Sequence, residues 1–176
     1  MNQKGIAPLI IVAIVAVVAV VAGVGIYVAT RGDGGAGGGG GGGEGGVAGA
    51  TSLDFKVDVT YGGQTQTMRE RARNIGTANM DLRVDINVVE TTMSWILSGS
   101  QQQGWVYTGA QWMSFSDLGY DFSTYWSQYY SGFTTYENYL GNWTEGEWSG
   151  TFGGYAYRIY DIQVNPSLPD SVFQPS

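Results

Sequence analysis

The chain is 176 residues long, carries a formal net charge of −7, and contains neither cysteine nor histidine. Without cysteine there is no disulfide framework, thiolate metal site, thiol nucleophile or lipid-modified cysteine anchor, and without histidine the commonest general base and transition-metal ligand are gone. Thirteen acids against six bases over residues 51–176 disfavour nucleic acid as a partner, and no GxSxG, phosphate-loop or dinucleotide motif points to an enzyme or a cofactor.

Residues 1–5 form a short polar head. Residues 6–30, IAPLIIVAIVAVVAVVAGVGIYVAT, hold no charged side chain and as a helix span roughly 36 Å, against a hydrocarbon core of roughly 30 Å. A single transmembrane helix is expected, placing the protein in the cell membrane with its C-terminal part extracytoplasmic. Lys4-Gly5-Ile6-Ala7-Pro8-Leu9-Ile10 resembles the class III signal of archaeal type IV pilins and related surface proteins. That resemblance implies a cut between Gly5 and Ile6 that leaves the helix on the product; an uncleaved signal anchor is the other reading.

Residues 31–50 are nearly all glycine, unbroken from Gly37 to Gly43. Such a linker has the largest backbone freedom and spans about 25 Å end to end. It uncouples the anchor from whatever follows.

Residues 51–176 are enough for one domain with a core. Leu53, Phe55, Val57, Val59 and Tyr61 alternate with polar residues and predict a first strand. A turn at Tyr61-Gly62-Gly63-Gln64 leads to a second strand, Thr65 to Asn74, with Met68 and Ala72 on the dry side and Arg69, Arg71 and Arg73 on the wet side. Met80, Leu82, Val84, Ile86 and Val88 form the third. A three-residue loop at Gly76-Thr77-Ala78 sets Ala72 and Met68 opposite Leu82 and Ile86, pairs Arg73 with Asp81 and Arg69 with Asp85, and leaves Arg71 facing Arg83. Cross-strand ion pairing explains this arginine row, except at Arg71 and Arg83, where an anion would relieve repulsion.

Thr92 to Leu97, Gly104 to Thr108 and Gln111 to Phe115 complete a six-strand meander. From Asp121 to Leu140 the apolar spacing changes to three and four, one helical stripe that Gly132 interrupts, so two short helices or one bent helix are equally compatible. Asp117 or Asp121 can cap its start and Gly141 its end. Thr151 to Phe152 and Tyr155 to Val164 return to strand alternation, closed by Pro166 and Pro169. The fold class expected is α+β: a curved antiparallel sheet, an open half-barrel, with the helical insert on its concave face.

The hairpin from Gly104 to Trp112 and the ending from Val164 to Phe173, set around a helical insert in a meander, resemble the LolA-like half-barrel superfamily of lipoprotein carriers and the related LppX-type lipoproteins. The resemblance implies an apolar ligand held between sheet and helix. Trp95, Trp105, Trp112, Trp126, Tyr129 and Phe133 are the residues expected where sheet and helix meet, lining a cavity or filling it as core. Asn142-Trp143-Thr144 is a glycosylation sequon at Asn142. Paired acids at Asp117 and Asp121, and at Glu145 and Glu147, have capping or solvation as their explanation. The function expected is a membrane-anchored binding module for a lipid or other apolar ligand; the alternative is a pilin-like or adhesive cell-surface structural protein. The separating feature is the glycine linker, which favours independent movement over filament packing.

Overall fold

A computed structural model describes residues 46–88 and 91–176. The expected head, the membrane span at 6–30, the signal positions Gly5 and Ile6, and residues 31–45 of the linker lie outside the described residues. No helix among the described residues is long and apolar enough to cross a membrane.

Eight strands build one antiparallel sheet: β1 (Ser52–Tyr61), β2 (Gln64–Arg73), β3 (Asp81–Val88), β4 (Thr91–Ser98), β5 (Gln103–Tyr107), β6 (Trp112–Ser114), β7 (Trp148–Phe152) and β8 (Tyr155–Val164). Their order is β6-β5-β4-β3-β2-β1-β8-β7. Two helices separate β6 from β7: α1 (Phe115–Leu118), then α2 (Phe122–Tyr139). The helical segment therefore joins one edge of the sheet to the other. In doing so it covers one sheet face, and the core forms between them.

The register of β2 and β3 follows from their alternation. Met68 pairs with Ile86, Ala72 with Leu82, Arg73 with Asp81 and Arg71 with Arg83. The loop differs from the expectation. Pairing stops at Arg73 and Asp81, and the turn between them is closed by Thr77 and Met80 amides donating to the Asn74 and Thr77 carbonyls. Asn74 adopts a left-handed φ of 55° and its side-chain amide donates to the Asn79 carbonyl, which accommodates the longer turn.

The helix α2 is continuous through Gly132, which is buried. Gly132 shares the buried face with Tyr129, Phe133 and Tyr136, so it does not break the helix. Asp121 caps its N-terminus by accepting from the Thr124 amide at 2.9 Å. Those contacts, with the Ser123 and Thr124 hydroxyls, hold the Asp121 carboxyl down to about 2. Asp117 serves α1 instead, where Ser114 is the cap and accepts from the Asp117 amide. Past α2, a 3-10 turn over Leu140–Asn142 replaces the glycine stop expected at Gly141.

The domain begins before residue 51. Val47 and Ala50 are buried in the main core, and the Gly46 backbone lies against the carbonyl of Gly141. Val47 is the one branched apolar residue of the glycine-rich stretch, and burying it stabilises this docked end.

The opposite face is also partly covered. Beyond β8, Asn165 turns back with a left-handed φ of 54°, accepting from the Thr51 amide at 2.7 Å while its own amide donates to the Ser52 carbonyl. A 3-10 turn at Asp170–Phe173 then lies across β3 and β4. Ile96, whose neighbours Trp95 and Leu97 point to α2, is fully buried on this outer side, as is Phe173. Both stand apart from the core beneath α2.

Candidate functional site beneath the helix

Alternation sends three of the six expected aromatics to one place and two elsewhere. Trp95, Tyr129 and Phe133 are each no more than 2% exposed. Trp95 meets Tyr129 with ring centroids 5.7 Å apart, and Phe133 stacks on Phe55 at 6.0 Å. Trp126 lies at the margin, stacked between Phe122 and Tyr130 along the flank of α2 at 5.6 and 5.8 Å. Trp105 and Trp112 are on the other face of the sheet. Their neighbours Val106 and Met113 take the inward positions, and a strand cannot turn consecutive side chains to the same side. Trp112 instead lies 5.6 Å from the Arg83 guanidinium and 5.5 Å from Tyr107. Asn142 is exposed in the 3-10 turn after α2, so the sequon is physically accessible.

The same alternation brings in a residue the apolar pattern passes over. Between Met68 and Ala72 on β2 stands Glu70, on the dry side, paired across to Phe55 on β1 and Val84 on β3. Trp95 follows Val84 in the same row on β4. Glu70 is 2% exposed, and its Oε2 has no hydrogen-bond partner. Burial alone pushes its carboxyl up to about 8, so it is mostly protonated at neutral pH.

Two further buried oxygens share this interior. The phenol hydroxyls of Tyr129 on α2 and Tyr157 on β8 are also without partners. Burial raises the phenols of Tyr129 and Tyr136 well above their ordinary value, and the nearby Glu70 carboxyl pushes both in the same direction. Tyr157 is raised by burial and then by Tyr139 and Tyr155. Phe55, edge-on to Tyr136 at 6.2 Å and stacked with Phe133, supplies an apolar wall. Each unpaired polar group in such surroundings costs on the order of 1–3 kcal/mol. The signal for Glu70 was its strand parity, an acid at an inward position.

Among the described residues no cation stands on this side. Lys56 pairs with Asp161 at 2.9 Å, and Arg69 grips Asp54 with Nε and Nη2 at 2.8 and 2.7 Å. Asp85 receives both Arg71 and Arg83, so the spot expected to invite an anion already holds a carboxylate. Arg69 stands opposite Asp85 in the register, as expected, but its guanidinium bonds Asp54 on β1, which offers both carboxylate oxygens. Arg73 pairs with Asp81 and Asp170, and Arg158 with Glu147.

The outer face also carries an open groove of about 860 Å³ beside the loop Trp143 to Glu147, lined by Asp54, Lys56, Arg69, Arg158 and Tyr160. Its charges are tied to one another in the pairs above, and Tyr160 is flanked by the cations of Arg158 and Lys56, 4.6 and 5.8 Å from its ring. Among the described residues no group of acids is placed to hold a metal ion. No protein-family model, no curated protein and no solved structure matches the chain.

Proposed function

We propose that the protein is a membrane-anchored extracytoplasmic module that holds an apolar or amphiphilic molecule between its sheet and α2. The observation that carries this reading is the two unpaired oxygens of Glu70 and Tyr129, near each other in an apolar interface, with a third at Tyr157 farther along the same face. A core selected for stability alone gains nothing from a buried carboxyl oxygen without a partner, whereas a site for a molecule with one polar end requires such groups. The apolar stretch at 6–30 supplies the anchor and the glycine-rich linker the reach, in this reading.

The half-barrel belongs to the same proposal. An 18-residue helix is about 27 Å long, whereas eight flat strands span about 34 Å from the first to the last. Curling the sheet around α2 closes that gap and makes the helix the plug of an open half-barrel, similar to the LolA-like architecture. Rings now occupy the interior, so a ligand enters as α2 lifts and Tyr129, Phe133 and Tyr136 withdraw together.

Photo-crosslinking of the full chain in detergent with a long-chain diazirine alcohol tests this. Label mapped to peptides of β1, β2 and α2 is the expected result. Label confined to residues 6–30 overturns it. The second reading, a surface structural or adhesive protein, is favoured by the close filling of the interior by Trp95, Tyr129 and Phe133, and it gains from that second outcome.

A further inference from the structure

We infer that the site beneath α2 selects a long-chain molecule with an uncharged hydrogen-bonding head, a hydroxyl or carbonyl, and excludes charged amphiphiles; this rests on the interior being a ligand site. The inference comes from what each face of the sheet carries. All six bases of residues 51–176 lie on the outer side or are engaged there: Lys56 with Asp161, Arg69 with Asp54, Arg71 and Arg83 with Asp85, Arg73 with Asp81, Arg158 with Glu147. An anionic head brought under α2 would meet no counter-charge and would face Glu70 as well. Burying an uncompensated ion in such surroundings costs several kcal/mol.

A cationic head fares differently but no better. It would have to draw the proton off Glu70, creating an ion pair in an interior lined by Phe55, Val84 and Phe133, where desolvation of both partners opposes their attraction. A neutral head needs none of this. The protonated carboxyl of Glu70 can donate or accept at its unpaired Oε2, and the phenol of Tyr129 can donate and accept. A hydroxyl or carbonyl placed between Glu70 and Tyr129, which lie within electrostatic reach of each other, satisfies oxygens that the fold leaves unpaired, near the centre of the sheet, with the apolar chain running beneath α2.

The experiment compares three long-chain diazirine probes of equal length on the full chain in neutral detergent at pH 7: an alcohol, a carboxylic acid and a trimethylammonium. The expected result is interior labelling by the alcohol that exceeds the other two by about tenfold, the size of one well-placed buried hydrogen bond. Glu70→Gln, which keeps a neutral donor and acceptor, should retain alcohol labelling within about threefold, and Glu70→Leu should lower it about tenfold. Tryptophan fluorescence of each variant checks that the domain is folded. Equal labelling by the acid, or ammonium labelling that Glu70→Gln abolishes, overturns the inference while leaving a ligand site beneath α2. Absence of interior labelling by all three probes overturns the proposed function itself.

Discussion

The guanidinium of Arg73 lies over the ring of Phe173, 4.6 Å from its centroid, and joins the sheet to the segment that covers its outer face. Arg73 also holds Asp170, three positions before Phe173, while the Arg83 side chain donates to the Val172 carbonyl at 3.0 Å. The segment thus seals Ile96 from water. Phe173→Ala should lower unfolding stability by about 2–4 kcal/mol, since it removes a buried ring and opens that patch. Chemical unfolding of the full chain in detergent, followed by tryptophan fluorescence, measures it; a loss below about 0.5 kcal/mol would show that the segment is not held.

Asp85 is shared by Arg71 and Arg83, which face each other across β2 and β3, and all three side chains are at most 20% exposed. Burial lowers the Arg71 pKa, and Asp85 counteracts that shift. Asp85→Ala leaves two half-buried cations side by side. The expected cost is about 3–5 kcal/mol, larger than for either arginine removed singly. Added sulfate should recover part of the lost midpoint in the variant and little in the unaltered protein, because only the variant presents an unneutralised pair.

Glu70 predicts a pH dependence with a definite sign. Its carboxyl releases a proton near its ordinary value of 4.5 when unfolded and at about 8 when folded. The folded form therefore binds the extra proton throughout that window, and stability falls as pH rises from about 4.5 to about 8. The loss from this one group approaches roughly 5 kcal/mol. Asp121 acts in the opposite sense. Its depressed carboxyl stabilises the fold above its ordinary value of 3.8, and that contribution fades as pH falls toward about 2. Melting temperatures across the range should fall toward the alkaline side in the unaltered protein and flatten there in Glu70→Gln. A slope unchanged by Glu70→Gln would mean the carboxyl ionises normally.

Gly104 offers a test of packing on the other flank. A Cβ at this position would run into the ring of Phe115, against which Leu118, Tyr120 and Tyr125 gather. Gly104→Ala should destabilise by about 1–3 kcal/mol through overpacking, and Phe115→Leu in the same chain should recover part of that loss. Strict additivity of the two changes would show that they do not touch.

The strands and their register were legible because an alternation of apolar and polar residues admits only one facing once a face is dry. Met68, Ala72, Leu82 and Ile86 were enough to fix the β2–β3 pairing. The partners of the ions were not legible in the same way, since Arg69 can reach a carboxylate on either neighbouring strand, and Asp54 on β1 offers the bidentate geometry. Trp105 and Trp112 face outward because strand parity outranks aromatic bulk. Both sit beside an apolar residue with the stronger claim to the inner face, Val106 and Met113 respectively. Glu70 was missed for the converse reason. An acid adds nothing to an apolar pattern, yet its place between Met68 and Ala72 puts it inside. Nothing local in the sequence marks the last segment as a cover for Ile96, because that contact joins strands to a chain end far away along the sequence.

The Asn165 clasp at the start of β1 has a mechanical consequence. Strand β1 lies between β2 and β8, and Asn165 fastens its first residues to the end of β8. Tension arriving through the residues before Ser52 is therefore applied along a central strand. It must slide that strand against two ladders at once, loading many hydrogen bonds in parallel, instead of peeling an edge strand away one bond after another. The domain is braced against traction applied at its first strand.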